Sequence, residues 1–305
     1  MSERWDCVVI GGGAAGLSAA LVLGRARKRT LVVDAGAQSN RAAHGIGGLL
    51  GFDGVPPAQL YAAGREELTR YPSVHVRDGE VAAVTPHEGG FTVSLAGGGT
   101  EEVRRVLLAT GMHYQVPPVA GLEEFWGGSV FHCPFCHGWE MRDQPLAVLA
   151  QGERAVHMAT LLTGWSDDIV VLTNGAAQLS DTDRAQLAGR DIAVDERVIT
   201  RVTGSDGQLD AVVFDDGTTL LRRGLLVAST LRQRSQLARA LGVAFAPPGP
   251  VSEESIAVDA LSQTSVPGVF AAGDVSAQMP QVAAAVAGGS AAAASIVRSL
   301  MEEDA

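Results

Sequence analysis

Residues 6–36 read DCVVIGGGAAGLSAALVLGRARKRTLVVDAG, and their pattern decides the fold. An apolar run, Cys7 to Ile10, passes straight into a glycine turn; an Ala/Leu-rich stretch follows, then a second apolar run, Leu31 to Val33, closed by Asp34. Short apolar runs bounded by glycine or an acid read as buried strands, and the Ala/Leu stretch reads as a helix, so the segment is a βαβ unit. Gly11, Gly13 and Gly16 form a GxGxxG spacing between strand and helix. The first glycine makes the tight turn, the second lets backbone approach a pyrophosphate, and the third lets the helix pack close on the sheet. Asp34 closes the second strand, where a carboxylate accepts the hydroxyls of a ribose. A merely structural turn does not require strand, helix, second strand and acid in register, so Gly11, Gly13, Ala14, Ala15, Gly16 and Asp34 are read as a dinucleotide site.

The same design recurs in mid-chain. Residues 145–165, PLAVLAQGERAVHMATLLTGW, and 167–175, DDIVVLTNG, again read strand, turn, helix, strand. A Gly- and Asn-containing loop at 38–57 and a helical pattern around 59–70 follow the first unit. The alternating stretches VHVRDGEVAAV (74–84) and GFTVSLAGG (90–98) predict a small β-meander before VRRVLLATG (103–111) returns to a buried strand. LRRGLLVAST (221–230) parallels that strand, and VPGVFAAGD (266–274) leads into an Ala-rich helix at roughly 281–300. The expected fold is α/β, with two Rossmann-like dinucleotide-binding domains, the second inserted in the first: 1–115 with 246–305, and 116–245.

The chain has 305 residues, 46% of them hydrophobic, and a formal net charge of −11. No apolar run reads as a membrane span, and no dense Lys/Arg patch offers a surface to nucleic acid or an anionic membrane. A phosphate-bearing cofactor stays open, because helix N-termini bind phosphate without lysines. The start, MSERWDCVVIGGG, enters a strand at once with no room for a secretory leader, so a cytoplasmic protein is expected. Three cysteines, Cys7, Cys133 and Cys136, are too few for a disulfide scaffold.

Cys7 falls in the first strand, as a small inert hydrophobe would. The other two lie in FHCPFCHGWE, Phe131 to Glu140. CxxCH fits a c-type haem attachment only in a chain that binds haem covalently, and a closed zinc site needs four ligands where this segment offers one cysteine pair with His132 and His137. A redox-active pair needs nothing further: the spacing lets one sulfur attack a substrate and the other resolve the intermediate. Either cysteine fits either role by spacing alone.

Four motifs in this order, GGGAAG near the start, ATG at Ala109–Gly111, CxxC, and TSVPGVFAAGD at Thr264–Asp274, resemble the thioredoxin-reductase-like FAD disulfide oxidoreductases over nearly the whole chain. The resemblance implies an FAD domain built from both chain ends, including Thr110 and Gly111, with Gly273 and Asp274 at the ribityl or phosphate region and Gln281 and Val282 beside the flavin. Asn40 and His44 are expected in the flavin pocket, an ordinary solvated loop being the alternative. It further implies that Cys136 is the sulfur nearer the flavin, that Cys133 exchanges with substrate, and that the enzyme is a homodimer.

His137 departs from the aspartate that thioredoxin reductases carry after the second cysteine, and CPFCHGWE resembles the dithiol oxidases that close the disulfides of natural products of the gliotoxin and holomycin type. In that secondary-metabolite subgroup electrons pass from a small-molecule dithiol through CxxC and FAD to oxygen, giving peroxide, with His137 implied as general base. The second nucleotide turn also departs: Ala150 replaces the first glycine, and LTNG offers neither an acid for an NAD ribose nor a basic cluster for an NADP phosphate. Arg184 either reaches back to that phosphate or is a plain surface arginine, and use of NADPH is left open. The rivals are an NADPH-dependent thioredoxin or disulfide reductase and a flavin-binding redox sensor. His132 either tunes a thiolate or is a packed histidine, and Phe135 and Trp139 either border the substrate or pack.

Overall fold

The computed structural model describes residues 4–277 and 279–304. Its contacts divide the chain into two units, one of Met1–Arg41, Leu49–Tyr114 and Leu231–Ala305, the other of Ala42–Gly48 and Gln115–Thr230.

In the first unit the buried runs of Val, Leu and Ile form a seven-stranded sheet. Its parallel part runs Val74–Asp78, Thr30–Asp34, Trp5–Ile10, Thr100–Leu108, Val269–Ala271. The long strand Thr100–Leu108 shares one edge between two partners. Gly90–Leu95 pairs antiparallel with its N-terminal part and continues to Val81–His87, while Val269–Ala271 pairs with its C-terminal part. VHVRD therefore belongs to the parallel sheet, not to the expected meander: its register with Thr30–Asp34 places it on the edge, where its mostly exposed side chains alternate like those of a hairpin.

The helix Ala14–Arg25 follows the first strand, and the terminal helix Val282–Glu303 packs beside it in one core. The terminal helix is long and apolar enough by composition to cross a membrane, contrary to the sequence expectation. Ala285, Gly289, Ala292, Ala293, Ile296 and Leu300 form a buried stripe at helical spacing, packed with Ala15, Ala19, Ala20 and Leu23. A Cβ on Gly289 would sit 2.0 Å from the Ala15 carbonyl oxygen.

The second unit holds five parallel strands in the order Ala193–Asp195, Ile169–Leu172, Leu146–Leu149, Gly224–Val227, Val130–Phe131. The helix Gly152–Leu162 buries Ala155, Val156, Ala159 and Leu162 in the core formed by these strands. An antiparallel sheet of Ile199–Ser205, Gln208–Phe214 and Thr219–Leu221 completes the unit. The expected boundary at 245 is displaced: Leu231, Leu237, Ala238 and Val243 pack into the first unit's core, so the chain returns to that unit at Leu231. Residues 42–48, expected with the FAD domain, make their contacts in the second unit.

Replacing Gly289 with Ala should destabilise the protein by about 1–3 kcal/mol through overpacking. Gly288→Ala, whose added Cβ would meet nothing nearer than the Gly273 nitrogen at 3.8 Å, should be neutral or mildly stabilising. Thermal unfolding of the two variants checks the contrast.

Candidate functional site

In the first unit the glycine turn is shaped by backbone crowding. Gly11 has φ +109°, and a Cβ there would lie 2.2 Å from the Ala109 carbonyl oxygen, so the segment Ala109, Thr110, Gly111 lies directly on the turn. A Cβ on Gly16 would lie 1.8 Å from the Gly11 oxygen. Gly13 differs: its open side meets nothing nearer than Gln38 Cγ at 3.8 Å. Gly13 caps the helix Ala14–Arg25 with no side-chain cap bond and no acid in the first turn, so the amides of Ala14, Ala15 and Gly16 form an anion-binding helix start.

Gly12, absent from the motif spacing, is constrained as well, because a Cβ there would lie 2.5 Å from the Asp34 carboxylate. Asp34 is 5% exposed and accepts from the Gly36 N–H at 3.0 Å, from Gln38 Nε2 at 3.2 Å and from Arg65 at 2.5 Å. Burial would raise the Asp34 carboxyl, but the hydrogen bonds from Arg65, Gly36 and Gly12 outweigh it and hold it below the usual carboxylate range.

At the same C-terminal strand ends, Gly273, in the left-handed region at φ +81°, sets Asp274 beside the first helix: a Cβ on Gly273 would lie 2.8 Å from Ala15 Cβ. Asp274 accepts from the Tyr114 hydroxyl at 3.2 Å. Burial raises its carboxyl above the usual range despite Tyr114 and Arg234. Arg234 donates to the Ala37 carbonyl, to Ser39 Oγ at 3.0 Å and to the Met112 carbonyl at 3.3 Å, while the Tyr61 hydroxyl donates to Asn40 Oδ1 at 2.6 Å. A cavity of about 130 Å³ is lined by Gly273, Asp274, Gln281 and Gly288 among others. Gln281 caps the terminal helix and lines this cavity; Val282, the first helical residue, is not among its lining residues. An amide cradle with an open glycine face, an acid at the next strand end and a cavity floored by a buried carboxyl together fit FAD.

Tyr61, Tyr114, Arg65 and Arg234 were not singled out in the sequence. They come from separate segments and follow no spacing, so only the fold assembles them.

In the second unit, Cys133 and Cys136 form a disulfide with Cα atoms 5.4 Å apart. Cys133 precedes the short helix Pro134–His137, and its carbonyl accepts from the N–H groups of Cys136 and His137, each at 3.2 Å. The loop 42–48 lies against this turn. A Cβ on Gly47 would be 2.6 Å from the Cys136 oxygen, one on Gly127 2.8 Å from the Ala42 carbonyl carbon, and one on Gly128 3.8 Å from the His44 ring. Of the two residues expected in the flavin pocket, Asn40 accepts from Tyr61 in the first unit, and His44 lies in the loop counted with the second.

His137 stacks on Phe131 at 5.8 Å, and both ring nitrogens are buried. Burial pushes its pKa below the ordinary imidazole range and His44 adds to this, against the opposing pull of Glu140 and the nearby backbone of Gly127 and Cys133. His132 stacks on Trp126 at 5.6 Å and is pushed down to about 4 by burial, His137 and Arg154. Phe135 and Trp139 are 54% and 66% exposed, with Phe135 edge-on to Trp165 at 5.6 Å and Arg142 over Trp139 at 4.0 Å. Cys7 is fully buried, which raises its thiol pKa and keeps it inert.

Dinucleotide turns in both units and a redox disulfide in the second define a flavin-type disulfide oxidoreductase. The pyridine nucleotide-disulphide oxidoreductase family matches residues 5–289. The chain is 34% identical over 294 residues to thioredoxin reductase tcpT of Claviceps purpurea, spanning 93% of this chain and 90% of that one. Among solved structures, an oxidoreductase from Agrobacterium tumefaciens matches with a TM-score of 0.92 at 38% identity, covering 98% of this chain and 99% of its own. HlmI matches with a TM-score of 0.92 at 39% identity, covering 100% of this chain and 95% of its own. The chain belongs to the pyridine nucleotide-disulphide oxidoreductase family, and within it is a thioredoxin-reductase-like, FAD-dependent thiol/disulfide oxidoreductase.

Asp274→Ala should weaken FAD retention by about tenfold or more, the scale of a lost charge-assisted hydrogen bond. Tyr114→Phe, which leaves the carboxyl in place, should weaken it less. Flavin released per protein after dialysis checks both.

Proposed function

We propose that this enzyme is a dithiol oxidase that closes a disulfide in a small-molecule dithiol, with oxygen as electron acceptor and peroxide as product. The observation that carries the reading is His137: an imidazole directly after the redox pair, its ring nitrogens shielded from solvent, shifted by burial toward its neutral form. A neutral imidazole near a disulfide takes a proton from an incoming thiol, which a carboxylate of ordinary pKa does poorly at neutral pH.

In this reading His137 accepts the proton of the first substrate thiol. The thiolate attacks Cys133 Sγ, the Cys133–Cys136 bond breaks, and Cys136 leaves as thiolate. The second substrate thiol, losing its proton, displaces Cys133 and forms the cyclic disulfide, so the substrate has lost two electrons and the cysteine pair has gained them. FAD, when bound, supplies the two-electron carrier between the reduced pair and oxygen. Gly11, Gly13, Ala14, Ala15 and Gly16 would hold its pyrophosphate, Asp34 a ribose, and Thr110, Gly111, Gly273, Asp274 and Gln281 its central and flavin portions. The exposed faces of Phe135 and Trp139 suit an apolar dithiol. From the family resemblance we carry over a homodimer, and a cytoplasmic location is proposed beside it.

Two experiments test the reading. Under anaerobic conditions a simple dithiol should bleach the flavin, NADPH should not, and admitted oxygen should restore the colour with peroxide formed; rapid bleaching by NADPH would favour the reductase. A disulfide that follows redox poise without oxygen consumption would favour a sensor. His137→Asn should keep its FAD yet slow dithiol-driven bleaching by about a hundredfold, the low end of general-base effects. Because the His137 pKa lies below its usual value, the acid limb of the bleaching rate should fall below about pH 6.5 and vanish in the variant. Stopped-flow absorbance against pH reads both.

A further inference from the structure

The second unit contains a second dinucleotide-type strand, turn and helix: Leu146–Leu149, the turn 150–152 and Gly152–Leu162. In an open parallel sheet a ligand lies across the C-terminal strand ends where the strand order reverses. That point falls between Leu146–Leu149 and Gly224–Val227, because the sheet grows from Leu146–Leu149 outward to Ile169–Leu172 and Ala193–Asp195 on one side and to Gly224–Val227 on the other.

Two side chains flanking Gly152 cross these strand ends in opposite directions. The Gln151 carboxamide donates to the Thr173 carbonyl, one residue past Ile169–Leu172, and accepts from the Gln178 N–H at 3.3 Å. Arg154 donates to the Ser229 carbonyl at 2.6 Å, two residues past Gly224–Val227. Groups around them are engaged inward too, except the Ser229 hydroxyl, which is buried without a hydrogen-bond partner among the described residues. The Thr173 hydroxyl donates to the Gly175 carbonyl at 2.6 Å, and Asn174 Oδ1 accepts from the Ile199 N–H at 2.7 Å. Arg184 is paired with Glu196, and Arg197 with Asp195 while lying 3.8 Å over the Phe214 ring.

The turn backbone has also been reshaped. In the first unit the left-handed residue is Gly11, at φ +109°, and Gly13 is extended at φ −81°. In the second, Ala150 keeps a negative φ and the left-handed conformation has moved to Gly152, at φ +56°. The alanine is thus accommodated without strain, but the backbone follows another path at the position that approaches a pyrophosphate in the first unit. The first crevice differs in a further way: Asp34 brings a carboxylate to the strand end, and the Arg65 upon it comes from an outer helix and is one-third exposed.

We propose that Gln151 and Arg154 close this crevice against nicotinamide dinucleotides and so act as specificity determinants, leaving thiols as the only source of electrons for the cysteine pair. The closure stands on its own geometry; its consequence for electron flow rests on the dithiol oxidase reading.

The test is NADPH binding to the FAD-loaded protein, measured by titration calorimetry, for the unsubstituted chain, Gln151→Ala, and Gln151→Gly combined with Arg154→Thr. The unsubstituted chain should show no saturable binding up to about 1 mM, a concentration at the weak end of affinities. Gln151→Ala should gain about tenfold, the factor set by one internal hydrogen bond that a ligand no longer has to displace, and the double variant more. Saturable binding to the unsubstituted chain overturns the proposal. So does the absence of any gain in both variants when their circular dichroism and flavin content match the unsubstituted chain. Dithiol-driven bleaching is recorded on the same samples and should be unchanged in Gln151→Ala. If NADPH is excluded as expected but dithiols fail to bleach the flavin, the closure stands and the oxidase reading falls.

Discussion

The first unit depends on how closely backbone can approach the residue Ala15. Gly289 of the terminal helix faces its carbonyl, Gly273 of the last strand end faces its side chain, and Gly16 next to it lies on Gly11. A methyl group at any of these glycines would fall inside contact distance. The chain's two ends are thereby joined around one turn. Once the terminal helix is seated, Val269–Ala271 completes the sheet on the edge of Thr100–Leu108, and Gly273 and Asp274 emerge beside the first helix. The Ala-rich faces of both helices bury little area per residue, so close approach and the many weak contacts it permits must supply the packing energy.

Burial acts on two titratable groups of opposite kind, and moves both toward neutrality. Asp274 is raised because its carboxylate would be costly away from water, and His137 is lowered because its imidazolium would be. The outcomes differ chemically. Asp274 has Tyr114 to bond with and is held in place as part of a surface. His137 lies over the Phe131 ring directly after the disulfide, held by burial in the neutral form that has a lone pair to offer.

How much could be read from the sequence follows from where each constraint originates. Gly11 and Gly16 were legible because their demands come from the turn itself, and the turn announces itself by strand, spacing and helix. Gly12 was not, since its constraint comes from the Asp34 side chain arriving from another strand. The same holds for Tyr61, Tyr114, Arg65 and Arg234, which meet their partners only through the tertiary fold. His44 follows Asn40 closely in sequence, yet the chain changes units between them, which no local pattern announces. VHVRD alternates like a hairpin strand because a parallel edge strand and a hairpin strand expose the same pattern, and only its partner tells them apart.

The two nucleotide turns make the most informative comparison within the molecule, because the same chain-building rule produced both. Each has a buried strand, a small-residue turn and a helix packed back on the sheet, and that much is set by hydrophobic periodicity. Binding chemistry is a separate layer carried by groups that need not agree with the scaffold. In the first turn the amides face outward past Gly13 and a carboxylate waits at the next strand end. In the second the left-handed residue has shifted, the strand-end acid is missing, and side chains flanking the glycine bond the protein's own carbonyls. With alanine at the first glycine position the unit stays whole: Gly152 takes the left-handed conformation, and Gln151 and Arg154 bond carbonyls past the flanking strands. The stability of such a scaffold rests on its buried strands and the helix packed on them, a layer separate from whatever the turn binds.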